Sequence, residues 1–174
     1  MKKLIMALSL LVASAFMTQA QKYAFVDTEY IMENIPEYAA AQDKLNDLSV
    51  EWQKEIEEKF AEIDKLYKSY QSESVLLPED MKRKREEEII QKEREAKELQ
   101  KKRFGQEGDL FRKRQELVKP IQDKVYNAIE EIANTKGYAF VFDKAGNMTM
   151  LYASPRFDLS DEVLRKIGNV VGDE

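Results

Sequence analysis

The stretch from residue 36 to residue 75, PEYAAAQDKLNDLSVEWQKEIEEKFAEIDKLYKSYQSESV, decides the fold of this chain. Its apolar and aromatic residues recur in steps of three and four, which is the periodicity of a helix and not of a strand. They are Tyr38, Ala41, Leu45, Leu48, Trp52, Ile56, Phe60, Ile63, Tyr67 and Tyr70. One apolar stripe surrounded by charge is typical of a helix that packs on another helix. The stretch therefore predicts a long helix that needs a partner.

The partner helix follows in the sequence after a turn. Residues 76–80, LLPED, include Pro78, which lacks an amide hydrogen and biases the preceding residue towards extended geometry. We therefore expect the chain to fold back near residues 76–80, and a second helical limb from about residue 81 to residue 135. The apolar residues of this limb are sparse at first and denser towards its end: Met81, Ile89, Leu99, Leu110, Leu117, Ile121, Val125, Ile129 and Ile132. The prediction is a helical hairpin arm over residues 36–135.

Two features interrupt the return limb. The run GQEG at residues 105–108 carries two glycines, and each costs about 1 kcal/mol relative to Ala inside a helix. They either permit close packing against the outgoing limb near Trp52 or Lys59, or they form a hinge, which is the interpretation we favour. Pro120 removes one helical hydrogen bond and predicts a bend further along. The hinge candidates are Gly105, Gly108 and Pro120.

Composition agrees with long surface helices and excludes several chemistries. Charged residues make up 35% of the chain, and there are only six Gly and four Pro in 174 residues. The chain has no Cys and no His, which excludes a disulfide framework, a thiol nucleophile, an imidazole base and the usual zinc sites. The carboxylates at residues 86–88 follow four basic residues, so solvated ion pairing is favoured over acid–base catalysis. We predict no enzyme and no cofactor.

Residues 1–20 have the pattern of a signal peptide. Lys2 and Lys3 precede an apolar stretch of about thirteen residues, and TQA at residues 18–20 leads to a predicted cut before Gln21. The stretch is short for an uncleaved membrane anchor, which is the alternative. The mature chain is expected to be soluble and periplasmic. Without Lys2 and Lys3 it has 26 basic and 33 acidic residues, a net charge of −7, so nucleic-acid binding is not predicted.

The two ends of the mature chain carry strand-like runs. Residues 22–27, KYAFVD, resemble residues 138–143, YAFVFD, and a third strand is predicted over residues 148–153, antiparallel to the second. Asp27 or Thr28 is expected to cap a short helix, and Ser160 to cap a terminal one. Residues 21–35 and 136–174 thus predict one small β-containing body.

This body is too small to be stable alone, and oligomerisation is the usual remedy for such a size. Strands that are apolar at successive residues need cover on both faces. Either neighbouring subunits or the base of the hairpin can supply that cover, and we favour the oligomer. The oligomerisation candidates are Phe25, Phe140, Phe142 and Leu151.

Several short motifs make the chain resemble the Skp (OmpH) family of periplasmic chaperones. They are VDT at residues 26–28, FDK at 142–144, LYASP at 151–155 and DLSDEVL at 158–164, in the order strand, hairpin, strands. The resemblance implies a mainly α fold with a small β body. It also implies a homotrimer in which strands of three subunits form a small barrel and three coiled-coil arms surround a cavity. Members of that family hold unfolded outer-membrane proteins without ATP.

The arm carries the predicted client contacts. An open hairpin tip has little to bury apolar side chains, so the client-binding candidates are Tyr70, Val75, Leu76, Leu77 and Met81. Trp52 and Phe60 are expected to pack one limb on the other. Residues 82–103 hold ten basic and six acidic residues. A solvated helix face is the favoured interpretation of this run, and repulsion that keeps three arms apart is the alternative.

Two functions follow from the sequence. The leading prediction is a trimeric holdase whose clients are unfolded outer-membrane proteins, and the alternative is a structural coiled-coil spacer or adaptor of the cell envelope. The net negative charge of the mature chain does not favour docking to an anionic membrane. Contact with a membrane surface is therefore left open.

Overall fold

The computed structural model describes residues 21–146 and 150–168. Its elements are β1 (Lys22–Val26), α1 (Thr28–Glu33), α2 (Pro36–Glu73), α3 (Glu79–Phe104), α4 (Asp109–Lys136), β2 (Tyr138–Asp143), a 3-10 turn (Pro155–Phe157) and α5 (Ser160–Lys166). The prediction of a mainly helical fold with a small sheet is confirmed. The chain divides into two compact units: a helical unit, residues 32–124, and a strand unit formed by the described residues before 32 and after 124.

The bounds of the long helices follow from residues at their ends. Pro36 begins α2, where its missing amide hydrogen costs nothing, and Glu37 in the first turn suits the helix dipole. The helix ends after Glu73, and residues 74–78 form the turn. Acidic residues occupy the first turn of α3 and basic residues its last turn, which is the favourable charge order for a helix.

Within the helical unit, α2 and the return helices pack antiparallel. Contacts between them follow one order, in which residues further along α2 meet residues earlier on the return limb. The ordered pairs are Tyr70 with Glu86, Glu62 with Lys92, Glu55 with Arg103, and Glu37 with Lys124. Between these polar pairs Ile63, Ile89 and Ala96 form a buried apolar cluster, with Leu66 and Tyr70 packed against it. The apolar stripe of α2 thus meets the few apolar residues of α3.

The return limb is two helices and not one. It breaks at residues 105–108, the run that the sequence marks as an interruption. The helix α4 then continues through Pro120, which lies inside it. The bend that we expect at Pro120 stays a prediction.

In the strand unit, β1 and β2 pair in parallel, with Phe25 opposite Phe142 and Val26 opposite Asp143. The other edge of β1 is occupied by a later segment, because Phe25 bridges Asp158 and its carbonyl accepts the Leu159 amide hydrogen at 2.9 Å. The buried apolar residues of this unit come from β1, α1, α4 and α5: Ala24, Phe25, Val26, Ile31, Val125, Ala128, Ile132, Leu159, Val163 and Leu164. Residues from both chain ends therefore share one core.

The predicted third strand is wrong for the residues that the structure describes. Residues 148 and 149 lie outside them, and residues 150–153 form no strand. Leu151 and Tyr152 are both exposed, Leu151 by 95%. Successive side chains of a strand point to opposite faces of the sheet. Because Leu151 and Tyr152 are both exposed, neither side chain packs on a face as a strand residue would.

The cap expected at the terminal helix is also wrong. Ser160 is the first residue of α5, not its cap; Leu159 is at the cap position, and the Asp158 carboxylate accepts the Ser160 amide hydrogen at 2.9 Å. Ser160 is instead buried, because its hydroxyl oxygen accepts the Asp27 amide hydrogen at 2.9 Å and its hydroxyl donates to Asp158. Of the two candidate caps for α1, Asp27 and Thr28, Asp27 is the cap, because its carboxylate accepts the Tyr30 amide hydrogen at 3.1 Å.

Candidate functional site

The tip of the helical unit exposes apolar side chains. Val75 and Leu76 are 87% and 86% exposed, Met81 is partly exposed, and Leu77 is half-buried. The turn is held by its backbone, since the Leu76 amide donates to the Glu73 carbonyl at 2.9 Å. Two large apolar side chains thus project from an ordered turn and have no packing partner among the described residues.

Tyr70 differs from the other tip candidates. It is half-buried against the cluster of Ile63, Ile89 and Ala96. Its hydroxyl donates a hydrogen bond to the Glu86 carboxylate, and this bond raises the pKa of Tyr70. Tyr70 therefore braces α2 against α3 just below the exposed turn.

The break in the return limb is tied to α2 by Arg103. Its guanidinium donates to Asp109 across the break at 2.9 Å and to Glu55 of α2 at 3.1 Å, and it lies 4.7 Å from the centre of the Trp52 ring. The Trp52 ring is buried and also meets Phe104 edge to face at 6.4 Å. One side chain thus connects α2, α3 and α4. We call Arg103, Glu55, Asp109 and Trp52 the Arg103 clamp.

The charges of the clamp are favourably placed. Burial alone would raise the pKa of the Asp109 carboxyl, but hydrogen bonds from Arg112 and Arg103 outweigh burial and hold that pKa below its usual value. Burial opposes the charge of Arg103 as well, and its two carboxylate partners outweigh burial and raise its pKa. The ion pairs therefore stay charged at neutral pH.

The two glycines permit a tight turn of their own chain. A Cβ atom on Gly105 would lie 2.4 Å from the Lys101 carbonyl oxygen, and one on Gly108 would lie 2.8 Å from the Arg103 carbonyl oxygen. Neither glycine is required by contact with α2, because the nearest atoms belong to residues 101–105. Trp52 does lie at the break, but it meets Phe104 and Arg103. Whether the turn also acts as a hinge stays a hypothesis.

The two residues that were expected to pack one limb on the other, Trp52 and Phe60, differ in burial. Trp52 is buried in the clamp, whereas Phe60 is partly exposed. Basic residues of the run 82–103 that form ion pairs are Lys82, Arg85, Lys92, Lys97 and Arg103. Most of these pairs are exposed, and such pairs contribute at most about 1 kcal/mol each. They agree with a solvated helix face.

The motifs behind the family resemblance meet in space. The carboxylate of Asp143 accepts hydrogen bonds from the Thr28 amide at 3.1 Å and the Thr28 hydroxyl at 2.6 Å. The ammonium of Lys144 lies 3.0 Å from the Asp27 carboxylate, and the Tyr30 hydroxyl donates to Asp161 at 3.0 Å. The end of β1, the end of β2 and the start of α5 are thus joined by polar contacts.

This network shifts the pKa values of three of its members, and the hydrogen bond to Asp161 raises the pKa of Tyr30. The Tyr30 amide hydrogen and the Lys144 ammonium hold the pKa of Asp27 below its usual value, although burial acts against them. The hydrogen bond and the charge of Asp27 in turn raise the pKa of Lys144. More than a hundred residues separate the two members of each side-chain pair, so no local pattern indicated which acidic residue would meet which partner.

One face of the two-stranded sheet is aromatic. Tyr23 stacks on Phe140 at 6.0 Å between ring centres, and Phe140 stacks on Phe142 at 6.2 Å. Tyr23 and Phe140 are about half exposed. Beside this face lies an open groove of about 940 Å³, lined by Gln21, Lys22, Tyr23, Ala24, Phe25, Tyr138, Phe142, Met150, Tyr152, Ala153, Ser154, Arg156 and Phe157. We call it the aromatic groove.

The four oligomerisation candidates lie in different environments. Phe25 is buried in the core of its own chain, and Phe142 is half-buried. Phe140 and Leu151 are exposed. Phe140 and Phe142 lie on β2, whose outer edge pairs with no strand among the described residues.

In the sequence, the long antiparallel helices lie between two strands that pair in parallel. This order defines a class of protein in which a helical hairpin connects the two strands of one small sheet. A family model described as outer membrane protein (OmpH-like) matches residues 22–167. The chain therefore belongs to the OmpH-like family.

Two known chains are similar to this one. An uncharacterized protein of Aquifex aeolicus (strain VF5) is 33% identical over 167 residues, which is 96% of both chains. A crystal structure from Caulobacter crescentus CB15, described as a proposed outer membrane chaperone (OmpH-like), matches with a TM-score of 0.69 at 11% identity. The match covers 88% of this chain and 89% of that one, and at such low identity it establishes the fold.

Across residues 21–146 and 150–168, no helix combines the length and apolar character that crossing a membrane requires. The same ranges hold no group of three or more acidic side chains placed to bind a metal ion.

Proposed function

We propose that this protein is a periplasmic, ATP-independent holdase chaperone that binds unfolded outer-membrane proteins and prevents their aggregation. The observation that carries the proposal is the exposure of Val75 and Leu76 at an ordered helical tip. Membership of the OmpH-like family supports it, as does the fold shared with a chain described as an outer membrane chaperone.

The chemistry of the clients fits this surface. A strand of a transmembrane barrel alternates apolar and polar side chains, so an unfolded client offers many separated apolar contacts and no single compact one. The helical unit offers separated apolar side chains among charged ones. Besides the tip, the exposed ones are Val50, Phe60, Tyr67, Ile90 and Phe111. Many weak contacts of this kind hold a client without requiring a shaped pocket.

We further propose a homotrimer that assembles through the strand unit. The aromatic face and the outer edge of β2 support this, because a two-stranded sheet is marginal alone and an unpaired edge invites another strand. Phe140, Phe142 and Leu151 are placed to cross the interface. Phe25 lies opposite Phe142 and is buried in its own subunit.

The remaining assignments complete this proposal. Residues 1–20 are a signal peptide that is removed on export, residues 21–35 with 136–174 form the oligomerisation body, and residues 36–135 form the arm. Gly105, Gly108 and Pro120 let the arm adapt to clients of different size. The Arg103 clamp limits that motion, because it ties both sides of the break to α2.

A light-scattering assay tests the holdase. An outer-membrane protein is diluted from urea into buffer with or without the leaderless chain, and the chain is expected to suppress the rise in scattering. Replacing Val75 and Leu76 by Ser is expected to weaken capture between about thirtyfold and several hundredfold, because each of the two apolar side chains contributes roughly 1–2 kcal/mol when a client covers it. The control is Tyr126→Ser, at an exposed residue of α4 that belongs to the strand unit and not to the proposed client surface.

The outcomes separate the candidate functions. Unsuppressed scattering, together with tight binding of one folded envelope protein, would favour a spacer or adaptor. Equal capture by the tip variant and the Tyr126→Ser control would remove the tip from the client surface. The molar mass of the leaderless chain in solution tests the trimer directly.

A further inference from the structure

Gln21 lies at a chemically distinctive position in the strand unit. It directly precedes β1, is exposed, and lines the aromatic groove. Its side-chain carbonyl oxygen accepts a hydrogen bond from the Tyr23 hydroxyl at 3.0 Å. The predicted leader ends at Ala20, so a cut before Gln21 makes Gln21 the N-terminal residue.

We propose that Gln21 is a modification site, at which the new N-terminus cyclises to pyroglutamate with assistance from Tyr23. This inference rests on the export and cleavage proposed above, and it is independent of whether the chain binds clients. It assigns Gln21 a covalent change and makes Tyr23 a hydrogen-bond donor to the reacting amide oxygen.

The reaction needs no reagent beyond the chain and water. The α-ammonium group has an ordinary pKa near 8, so at neutral pH a fraction of the amine is unprotonated and nucleophilic. Its nitrogen attacks the side-chain amide carbon of Gln21, and a new carbon–nitrogen bond closes a five-membered lactam. The bond from that carbon to the side-chain nitrogen breaks. This nitrogen takes up the proton lost by the amine and leaves as ammonia.

Two features favour the step. Amine and amide belong to one residue, so the attack is intramolecular and avoids the entropy of bringing two molecules together. Negative charge develops on the side-chain carbonyl oxygen during the attack, and the Tyr23 hydroxyl already donates to that oxygen. A donor directed at a developing oxyanion lowers the barrier.

The product suits its surroundings better than the free terminus does. Cyclisation removes one positive charge next to Lys22, whose ammonium donates to the Lys136 carbonyl oxygen at 3.0 Å. It also leaves a neutral ring among the residues that line the aromatic groove. The lactam also lacks the free amine that aminopeptidases require.

The first experiment measures the intact mass of the protein after export. The full chain is expressed in a Gram-negative host, recovered from the periplasm, and incubated at neutral pH and 37 °C. We expect the mass of residues 21–174 less one ammonia, and a terminus blocked to Edman degradation. A chain that starts at Gln21 and keeps its ammonia, a chain cut elsewhere, and an uncut chain each overturn the proposal. The light-scattering assay on the same sample reports separately on chaperone function.

The second experiment tests Tyr23. Chains that begin at Gln21 are released from a cleavable fusion, and the loss of ammonia is followed with time by mass spectrometry. Tyr23→Phe is expected to slow cyclisation about two- to tenfold, the effect of one hydrogen bond. The matched control is Tyr138→Phe, another groove hydroxyl, which should leave the rate unchanged. Gln21→Ala should show no mass loss. Equal rates for Tyr23→Phe and Tyr138→Phe would overturn the role of Tyr23.

Discussion

Replacing Arg103 by Met should loosen the break between α3 and α4. Arg103 holds Asp109 at 2.9 Å and Glu55 at 3.1 Å, and its side chain is only 23% exposed. Methionine keeps much of the stem that packs on Trp52 and removes the charge and the donors. The variant therefore isolates the polar part of the clamp.

The size of the effect can be worked out from the contacts. A hydrogen bond to a charged group contributes about 1.5–3 kcal/mol when it is well buried. Glu55 is 41% exposed and regains water, so its share falls below about 1 kcal/mol. Asp109 keeps its ion pair with Arg112, which limits the stabilisation that Asp109 loses when Arg103 is replaced. The contact with the Trp52 ring adds about 0.5–1 kcal/mol. Together these give roughly 2 kcal/mol, lost locally at the break.

Hydrogen exchange at the break measures this loss. The Gly105, Gly108 and Arg112 amides donate to Lys101, Gly105 and Gly108 carbonyls at 2.8–3.0 Å, so their exchange reports opening of the turn. In the variant these amides should exchange between about tenfold and a hundredfold faster, since each 1.4 kcal/mol is a factor of ten.

The control is Arg94→Met, an equal loss of charge at an exposed position of the same helix. It should leave exchange at the break unchanged. Glu55→Gln should accelerate exchange in the parent chain and have little further effect in the Arg103→Met background. Equal exchange in the Arg103→Met and Arg94→Met variants would refute the clamp.

Two further predictions concern stability. Asp27→Asn should lower the urea midpoint at pH 7, because the folded chain holds the pKa of Asp27 below its unfolded value. The extra stability of the parent chain over Asp27→Asn is present above the unfolded pKa of about 3.9 and is lost as the pH falls through the folded pKa. If the urea midpoints of the two chains differ by the same amount at pH 7 and at strongly acid pH, the ion pair is contradicted. Gly105→Ala should destabilise the helical unit by about 1–3 kcal/mol, not stiffen it, because the new methyl group meets the Lys101 carbonyl oxygen. Gly146→Ala, whose methyl would lie 3.7 Å from the nearest atom, is the control in thermal denaturation, and an equal effect of both changes would contradict the tight turn.

The long helices could be predicted from local pattern. The stripe from Tyr38 to Tyr70 has a period that only a helix satisfies, and Pro36 and Pro78 lie at helix starts where proline is tolerated. The interruption at residues 105–108 was visible for the same reason, since two glycines disfavour a helix wherever they lie. The candidate tip was visible because Pro78 marks the turn and the residues before it are apolar.

The contacts of Arg103 could not be found in this way. It lies among several basic residues of α3, and no local feature distinguishes it from Arg94 or Lys102. Its partner Glu55 is 48 residues away, so their meeting depends on how α2 and α3 align. The strand prediction around Leu151 and Tyr152 was wrong, because an apolar run in the sequence does not show whether another segment covers it.

By itself, the sequence determined where the long helices and the two paired strands form, where the helical limbs turn and break, and to which family the motifs belong. These depend on neighbouring residues, whose propensities and spacing act locally. Only the tertiary structure decided that β1 and β2 pair in parallel, that Ser160 joins the chain ends instead of capping a helix, and that Arg103 connects three helices. Such contacts join residues far apart in the chain, and their geometry exists only after packing has brought those residues together.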